Sequence, residues 1–345
     1  MRAGRLYAIL AAVATAVFAF ALIVVWILTP SVGPRQQAFV VIPRGSNARQ
    51  TAKILADGGV IEHPLQFLMV RLLRPRAKLK AGEYMFQDRQ SMWKVFDRIV
   101  RGDIFYYVLV VPEGNSTFDI ARSLERQKIM ERAAFLNAAH DPALVRDLDP
   151  KAPSLEGYLF PDTYHVTRHT TPAQLCRQMT DRFRKAWTAL GAPPGGPHDV
   201  VTLASLVERE AKLAAERPLI ASVFSNRLRL GMALQCDPTA VYAAEMDDRY
   251  RGVIHRSDLD SRQLYNTYQH AGLPPGPIAN PGMASLKAAM APAATDFLYF
   301  VVRPDGSGSH QFSKELADHS RAVEQYRRGV RQERQKQTGN VARLR

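Results

Sequence analysis

The stretch Thr202–Met232, TLASLVEREAKLAAERPLIASVFSNRLRLGM, decides the fold of the larger part of the chain. Its apolar residues recur every three to four positions on both sides of Pro218, which predicts two helices broken at that proline. With Asp199 as the cap of the first helix, one stripe runs Val201, Ala204, Glu208, Ala211, Ala215. The neighbours of Glu208 on this stripe are small, and small neighbours leave a hollow. Glu210 shares its stripe with Leu203, Leu206 and Leu213, which predicts packing among leucines or an ion pair with Arg227 or Arg229. Glu216, next to Pro218, meets the N-terminus of the second helix, where a carboxylate is favoured. A carboxyl on an apolar face holds its proton towards neutrality and can act as a general acid. Salt-bridged and surface helix glutamates are commoner, so periodicity leaves both readings of Glu208 open.

The 345 residues are 46% hydrophobic and 23% charged, enough apolar material for one large or two medium cores. A net charge of +14 calls for a polyanionic partner: nucleic acid, anionic lipid headgroups or an acidic polymer. Part of that charge sits in the tail, residues 327–345, where Arg327, Arg328, Arg331, Arg334, Lys336, Arg343 and Arg345 face one acid, Glu333, as in a solvated helix end. No aromatic-basic pattern supports nucleic acid. Cys176 and Cys236 form no CxxC pair and have no zinc-ligand spacing; the sequence does not decide whether they join in a disulfide. His165 and His169 fall in a Thr-rich, strand-like segment and read as surface residues. No dinucleotide, P-loop, zincin or nucleophile-elbow motif is present.

Residues 6–28, LYAILAAVATAVFAFALIVVWIL, carry no charge and are long enough to cross a bilayer core of about 30 Å. The following TPSVGPRQQ lacks a small-x-small cleavage signal, so the reading is an uncleaved transmembrane helix. Arg2 and Arg5 keep residues 1–5 cytoplasmic and send the body to the other side. A repeat follows. VIPRGSNARQTAKILADGGVI from Val41 and VVPEGNSTFDIARSLERQKIM from Val110 align without gaps through Pro43/Pro112, Gly45/Gly114, Ala52/Ala121 and Leu55/Leu124. Each copy reads as strand, Pro-x-Gly turn, helix. Between them AGEYMF suggests a strand and SMWKVFDRIVRG a helix capped by Ser91 and stopped by Gly102. Residues 38–150 thus form a small α+β module without an evident acid/base pair. Residues 151–326 form a mostly helical domain: a helix over 171–190, the pair above, a helix entered through Asp237 and Pro238, the Pro/Gly-rich loop Tyr265–Gly282, and a closing β-hairpin and helix.

Five motifs in order, LEGYLFPDTY, LASLVEREA, SVFSNRLRLGMALQCDPT, YNTYQHAGLPPGPIANPG and SLKAAMAPA, behind one N-terminal span, resemble the endolytic murein transglycosylase family (MltG, or YceG-like). The resemblance covers the chain from the span to about Tyr326. It implies an α+β protein with a transmembrane helix, a LysM-like module over 38–150 and a catalytic domain over 151–326. It also implies an inner-membrane enzyme, its body periplasmic, that cuts nascent glycan strands internally and leaves 1,6-anhydro-N-acetylmuramyl ends. Peptidoglycan strands are then the substrate, cell-wall synthases the candidate partners, and no cofactor is needed. The family's catalytic glutamate is placed on the first Glu of LVEREA, Glu208. Glu156, Gln235, Asp237 and Asn266 are expected to bond sugar or orient that acid, with Tyr265 and Tyr268 offering faces to sugar rings. Cys236 stands where the family pattern has threonine. A non-catalytic peptidoglycan-binding scaffold and a two-carboxylate hydrolase are the alternatives, and the mass of the product ends separates all three.

Overall fold

Helix α1 (Arg2–Leu28) carries the apolar run, and its segment Tyr7–Leu28 is long and apolar enough to cross a membrane. The structure, a computed structural model, describes residues 2–29, 37–191 and 196–343, and the chain divides into two units between Tyr107 and Val108. The segment after the span, read above for a cleavage signal, lies largely outside the described residues, as do the tail side chains from residue 333 onward.

In the first unit β1 (Ala38–Ile42) pairs antiparallel with β2 (Gly82–Phe86), Ala38 opposite Phe86 and Ile42 opposite Gly82. Helices α2 (Ala48–Asp57), α3 (Pro64–Leu73) and α4 (Met92–Arg101) complete it around Leu55, Phe67, Tyr84 and Phe96, all buried. Ser91 caps α4 by accepting from Lys94 N, and Gly102, at φ 78°, ends it in the left-handed region glycine tolerates, both as the sequence predicts.

The boundary falls after the first residue of β3 (Tyr107–Val110), which pairs with β4 (Thr163–Val166), and the second unit runs on through α5 (Thr117–Arg126), α6 (Arg132–His140) and α7 (Pro172–Ala189). Both repeat copies fold alike. Gly45 and Gly114 take φ 82° and 81°, and each following helix starts with a capping box, Asn47 with Gln50 and Ser116 with Asp119. They do not share a core. Val111, Ile120, Ala121, Leu124 and Phe135 pack with Leu155, Tyr158 and Phe183 of the larger unit, so the boundary expected near residue 150 falls at 107. Apolar side chains follow the largest surface that can bury them, whatever their ancestry in the sequence.

Helix α8 (His198–Glu210) packs on α9 (Arg217–Arg229) and α12 (Met283–Met290). Its end differs from the expectation. Ala211 is already extended, at φ −75° and ψ 109°, and a 3-10 turn at Ala214–Glu216 leads into α9, so the break precedes Pro218, which sits in the first turn of α9. At the other end Pro197 stands at the cap and Asp199 within the first turn. Helices α10 (Asp237–Met246) and α11 (Arg256–Leu259) follow, with Cys236 rather than Asp237 at the α10 cap. The loop 265–282 has no regular structure and is tied down by Asn280. The Oδ1 of this residue accepts from Leu159 N at 2.9 Å, and its Nδ2 donates to Asn115 O at 2.9 Å and Glu156 Oε1 at 3.0 Å. The chain closes with the antiparallel hairpin β5 (Tyr299–Val302) and β6 (His310–Ser313) and helix α13 (Leu316–Arg343).

Gly157, at φ 86°, lets the chain pass under the loop: a Cβ there would stand 2.4 Å from Pro277 Cγ and 2.8 Å from Val201 Cγ1. Left-handed strain and overlap with two packed side chains together make Gly157→Ala destabilising by about 3 kcal/mol, read as a lowered urea midpoint at unchanged slope.

Candidate active site

Because α8 stops at Glu210, this last helical residue is not enclosed by the next turn. It faces a cavity of about 320 Å³ in the larger unit, lined also by Arg227, Gln235, Cys236, Asp237 and Tyr268. Phe300 and His310 of the hairpin and His319 of α13 complete the wall. The segment 235–237 is held in place by its backbone. Gln235 sits at φ 49°, uncommon for a residue with a Cβ, and its N donates to Thr267 O at 3.1 Å. Cys236 N donates to Thr267 Oγ1 at 3.1 Å, and the Tyr268 hydroxyl donates to Asp237 Oδ1. Beneath them the Arg227 guanidinium is spent on the carbonyls of Leu298, Ala233 and Leu234.

Glu210 accepts from Cys236 Sγ at 3.2 Å. Burial pushes its carboxyl up to about 7, with the thiol hydrogen bond opposing and the Asp237 charge adding to the shift. The tyrosine hydroxyl of Tyr268 is also pushed up, by burial first and then by Asp237.

Glu208 is placed differently from its expectation. Its side chain is only 4% exposed, but the hollow is filled by charge: Oε1 accepts from Arg217 Nη2 at 2.9 Å and Oε2 from Gly282 N at 2.9 Å. Arg217 is braced by Ser285 Oγ at 3.0 Å. The helical stripe omitted this partner because Arg217 belongs to the next helix. Glu113, in the Pro-x-Gly turn, lies against Gly282; burial and the Glu208 charge raise its carboxyl above the ordinary value, with Arg217 opposing.

Of the other expected residues, Gln235, Asp237 and Tyr268 join Glu210 in one cavity. Glu156 is 1% exposed and accepts from Thr117 N at 2.9 Å, Thr117 Oγ1 at 2.8 Å and Asn280 Nδ2; burial pushes it up to about 7. Asn266 is fully buried, its amide donating to the carbonyls of Asp258, Leu259 and Ser261. Tyr265 lines a second, more apolar cavity of about 500 Å³ with Tyr242, Phe118 and Leu136. Glu216 accepts from His310 N at 2.8 Å and His310 Nδ1 at 2.7 Å, so its role goes beyond the helix terminus. The stripe gives Glu210 leucine packing or an ion pair with Arg227 or Arg229; instead Glu210 accepts from Cys236 and Arg227 donates to backbone carbonyls, and His310 has no sequence signal. The signal for Glu210 was Lys212 after Ala211, a polar residue where a continuing helix would have kept its apolar face. Cys176 and Cys236 are both free and buried.

The chain belongs to the YceG-like family, whose sequence pattern it matches over residues 40–325. It is 31% identical over 305 residues to the endolytic murein transglycosylase of Bacillus subtilis strain 168, covering 83% of each chain. It is 27% identical to the protein of the same name from Streptococcus pneumoniae strain D39, of whose length it spans 58%. The crystal structure of a yceG-like protein from Listeria monocytogenes aligns over 84% of this chain and 99% of that one, at 30% identity and a TM-score of 0.53.

The raised Glu210 carboxyl carries a linkage. Between pH 4.5, its ordinary value, and about 7, the folded protein holds a proton that the unfolded chain releases, so stability falls as pH rises through this window. Above 7 the full cost of burying the charge applies. Glu210→Gln should therefore stabilise the protein at pH 8 by about 3 kcal/mol and leave it nearly unchanged at pH 4.5, measured by urea unfolding at both values.

Proposed function

We propose that this chain is a membrane-anchored endolytic murein transglycosylase whose acid is Glu210. The observation that carries the assignment is a carboxyl with no cationic hydrogen-bond partner among the described residues, pushed up to about 7, in a cavity shared with Gln235 and Asp237. A general acid works best when its pKa lies near the working pH. Glu208, the residue expected from the motif, has both oxygens engaged as acceptors by Arg217 and Gly282, so it has no free oxygen from which to hand over a proton. Its role is to fix the end of α8 against α12.

In the proposed reaction, protonated Glu210 gives its proton to the glycosidic oxygen between muramic acid and glucosamine. The oxocarbenium-like charge at the muramyl C1 is relieved by the substrate's own N-acetyl group. The Glu210 carboxylate then takes the proton of the muramyl C6 hydroxyl, whose oxygen closes on C1 to give the 1,6-anhydro ring. The residue ends as it began, and no water is consumed. Gln235 and Asp237 orient the sugar beside the acid, and Tyr268 holds Asp237. Glu156 and Asn266 act on the frame, and Tyr265 serves the neighbouring cavity. No cofactor takes part.

Helix α1 serves as the anchor, its N-terminal end cytoplasmic and both units on the far side, where nascent strands are made. The small unit is a LysM-like module that meets the glycan, and cell-wall synthases are the candidate partners. A binding scaffold would have no use for a desolvated, uncompensated carboxyl, which costs stability and invites loss.

Purified full-length protein incubated with glycan strands should release ends lighter by one water than hydrolytic ends, seen by mass analysis. Glu210→Gln should lower that rate by about 10³-fold or more, while Glu208→Gln should lose stability but keep anhydro-product formation. For the wild type, kcat/KM should fall tenfold per pH unit above about 7, as Glu210 loses its proton. An active Glu210→Gln variant, or an inactive but folded Glu208→Gln variant, would return the acid to Glu208.

A further inference from the structure

Helix α3 is apolar on two faces. Phe67 and Val70 point into the core of the small unit and are fully buried, while Leu65 (64% exposed), Leu72 (78%) and Leu73 (55%) stand on the other side. Leu65 and Leu72 are seven residues apart and share one stripe. A helix that is hydrophobic all round normally has something apolar against both faces. The run continues as RLLRPRAKLK, with Arg71, Arg74, Arg76, Lys78 and Lys80 and no acid among them.

The position of α3 says what covers the outer face. The N-terminal end of α3 is fastened to the C-terminal end of α1: Gln66 Nε2 donates to Trp26 O at 3.2 Å, the Trp26 and His63 rings are 5.7 Å apart, and Ile27 is buried in the core of the same unit. Trp26 is thus both the last aromatic residue of the span and a contact of α3, and tryptophan at the end of a span marks the level of the headgroups. On α4, half-exposed Trp93 carries the Arg74 guanidinium 5.5 Å above its ring.

Arg74 is paired with Asp97 at 3.1 Å, and Arg71 and Lys80 donate to the Arg74 and Arg101 carbonyls. We propose that α3 lies on the membrane surface as an interfacial helix, its outer leucines in the headgroup-acyl boundary and Arg76 and Lys78, which follow, on anionic lipid phosphates. The inference rests on the reading of α1 as a membrane span. Exposed leucines beside a run of cations match what an anionic bilayer surface offers, an apolar boundary under a negative layer. The attachment at Trp26 holds the N-terminal end of α3 at the end of the span. The small unit is then seated on the bilayer rather than tethered above it.

The test uses full-length protein reconstituted into vesicles of three parts phosphatidylcholine to one part phosphatidylglycerol. Single cysteines at Leu65, Leu72, Arg44 or Val13 carry an environment-sensitive dye; the native cysteines are buried and do not compete. All four sites are exposed, and thermal unfolding checks that each variant folds. Dyes at Leu65 and Leu72 should be quenched several-fold more than the one at Arg44 by lipids bearing a nitroxide just below the headgroup. Arg76→Glu with Lys78→Glu should bring the Leu72 signal down to its value in pure phosphatidylcholine. Quenching at Leu65 and Leu72 no greater than at Arg44, or at Leu65 alone, overturns the proposal, as does shielding that arises equally in detergent as protein concentration rises, which would assign the face to a second copy. A Val13 dye untouched by nitroxides placed at the bilayer centre would show that the span reading has failed instead.

Discussion

The site depends on one interruption of the backbone. By leaving the helical conformation at Ala211, α8 presents Glu210 to a cavity instead of to a following helical turn. Among the described residues the buried carboxyl there has only a thiol to accept from, a weak donor. Desolvation therefore outweighs compensation, and the proton stays on up to about pH 7.

The surrounding carboxyls show how specific that omission is. Glu208 has Arg217, Glu216 has His310, and Glu156 has Thr117 and Asn280. Asp149 accepts from the Tyr158 hydroxyl and lies 2.8 Å from His198 Nδ1. The partners of Glu216, Glu156 and Asp149 come from elements distant in sequence, that of Glu208 from the next helix, and each supplies hydrogen bonds to a buried group; those to Glu156 are all neutral, and burial pushes it up to about 7 as well. The same chemistry serves as a fastener where it is answered by a partner and as a reagent where it is not.

Much of the fold was legible. Caps, glycine stops, the repeat and the order of helices follow from local patterns: Ser91 and Gly102 end α4 as predicted, and Gly45 and Gly114 take the same turn. What was not legible is non-local. Nothing within residues 202–232 announces that Gly282 donates to Glu208, seventy-four residues away. The stripe argument also assumed a helix continuing to Ala215, and one backbone turn at Ala211 exchanges the environments of two glutamates only two positions apart. The motif names Gln235 and Asp237, which line the cavity with Glu210; that Asn266 spends its amide on its own loop was not legible.

The two repeat copies fold alike yet belong to different cores, with Leu55 in one and Leu124 in the other. The repeat cannot therefore be excised at its sequence edges. A fragment cut after the second copy would carry Val111, Ile120, Leu124 and Phe135 bare to water, an orphaned greasy surface prone to aggregate. The seam along which the polypeptide comes apart cleanly runs between the twins, not around them.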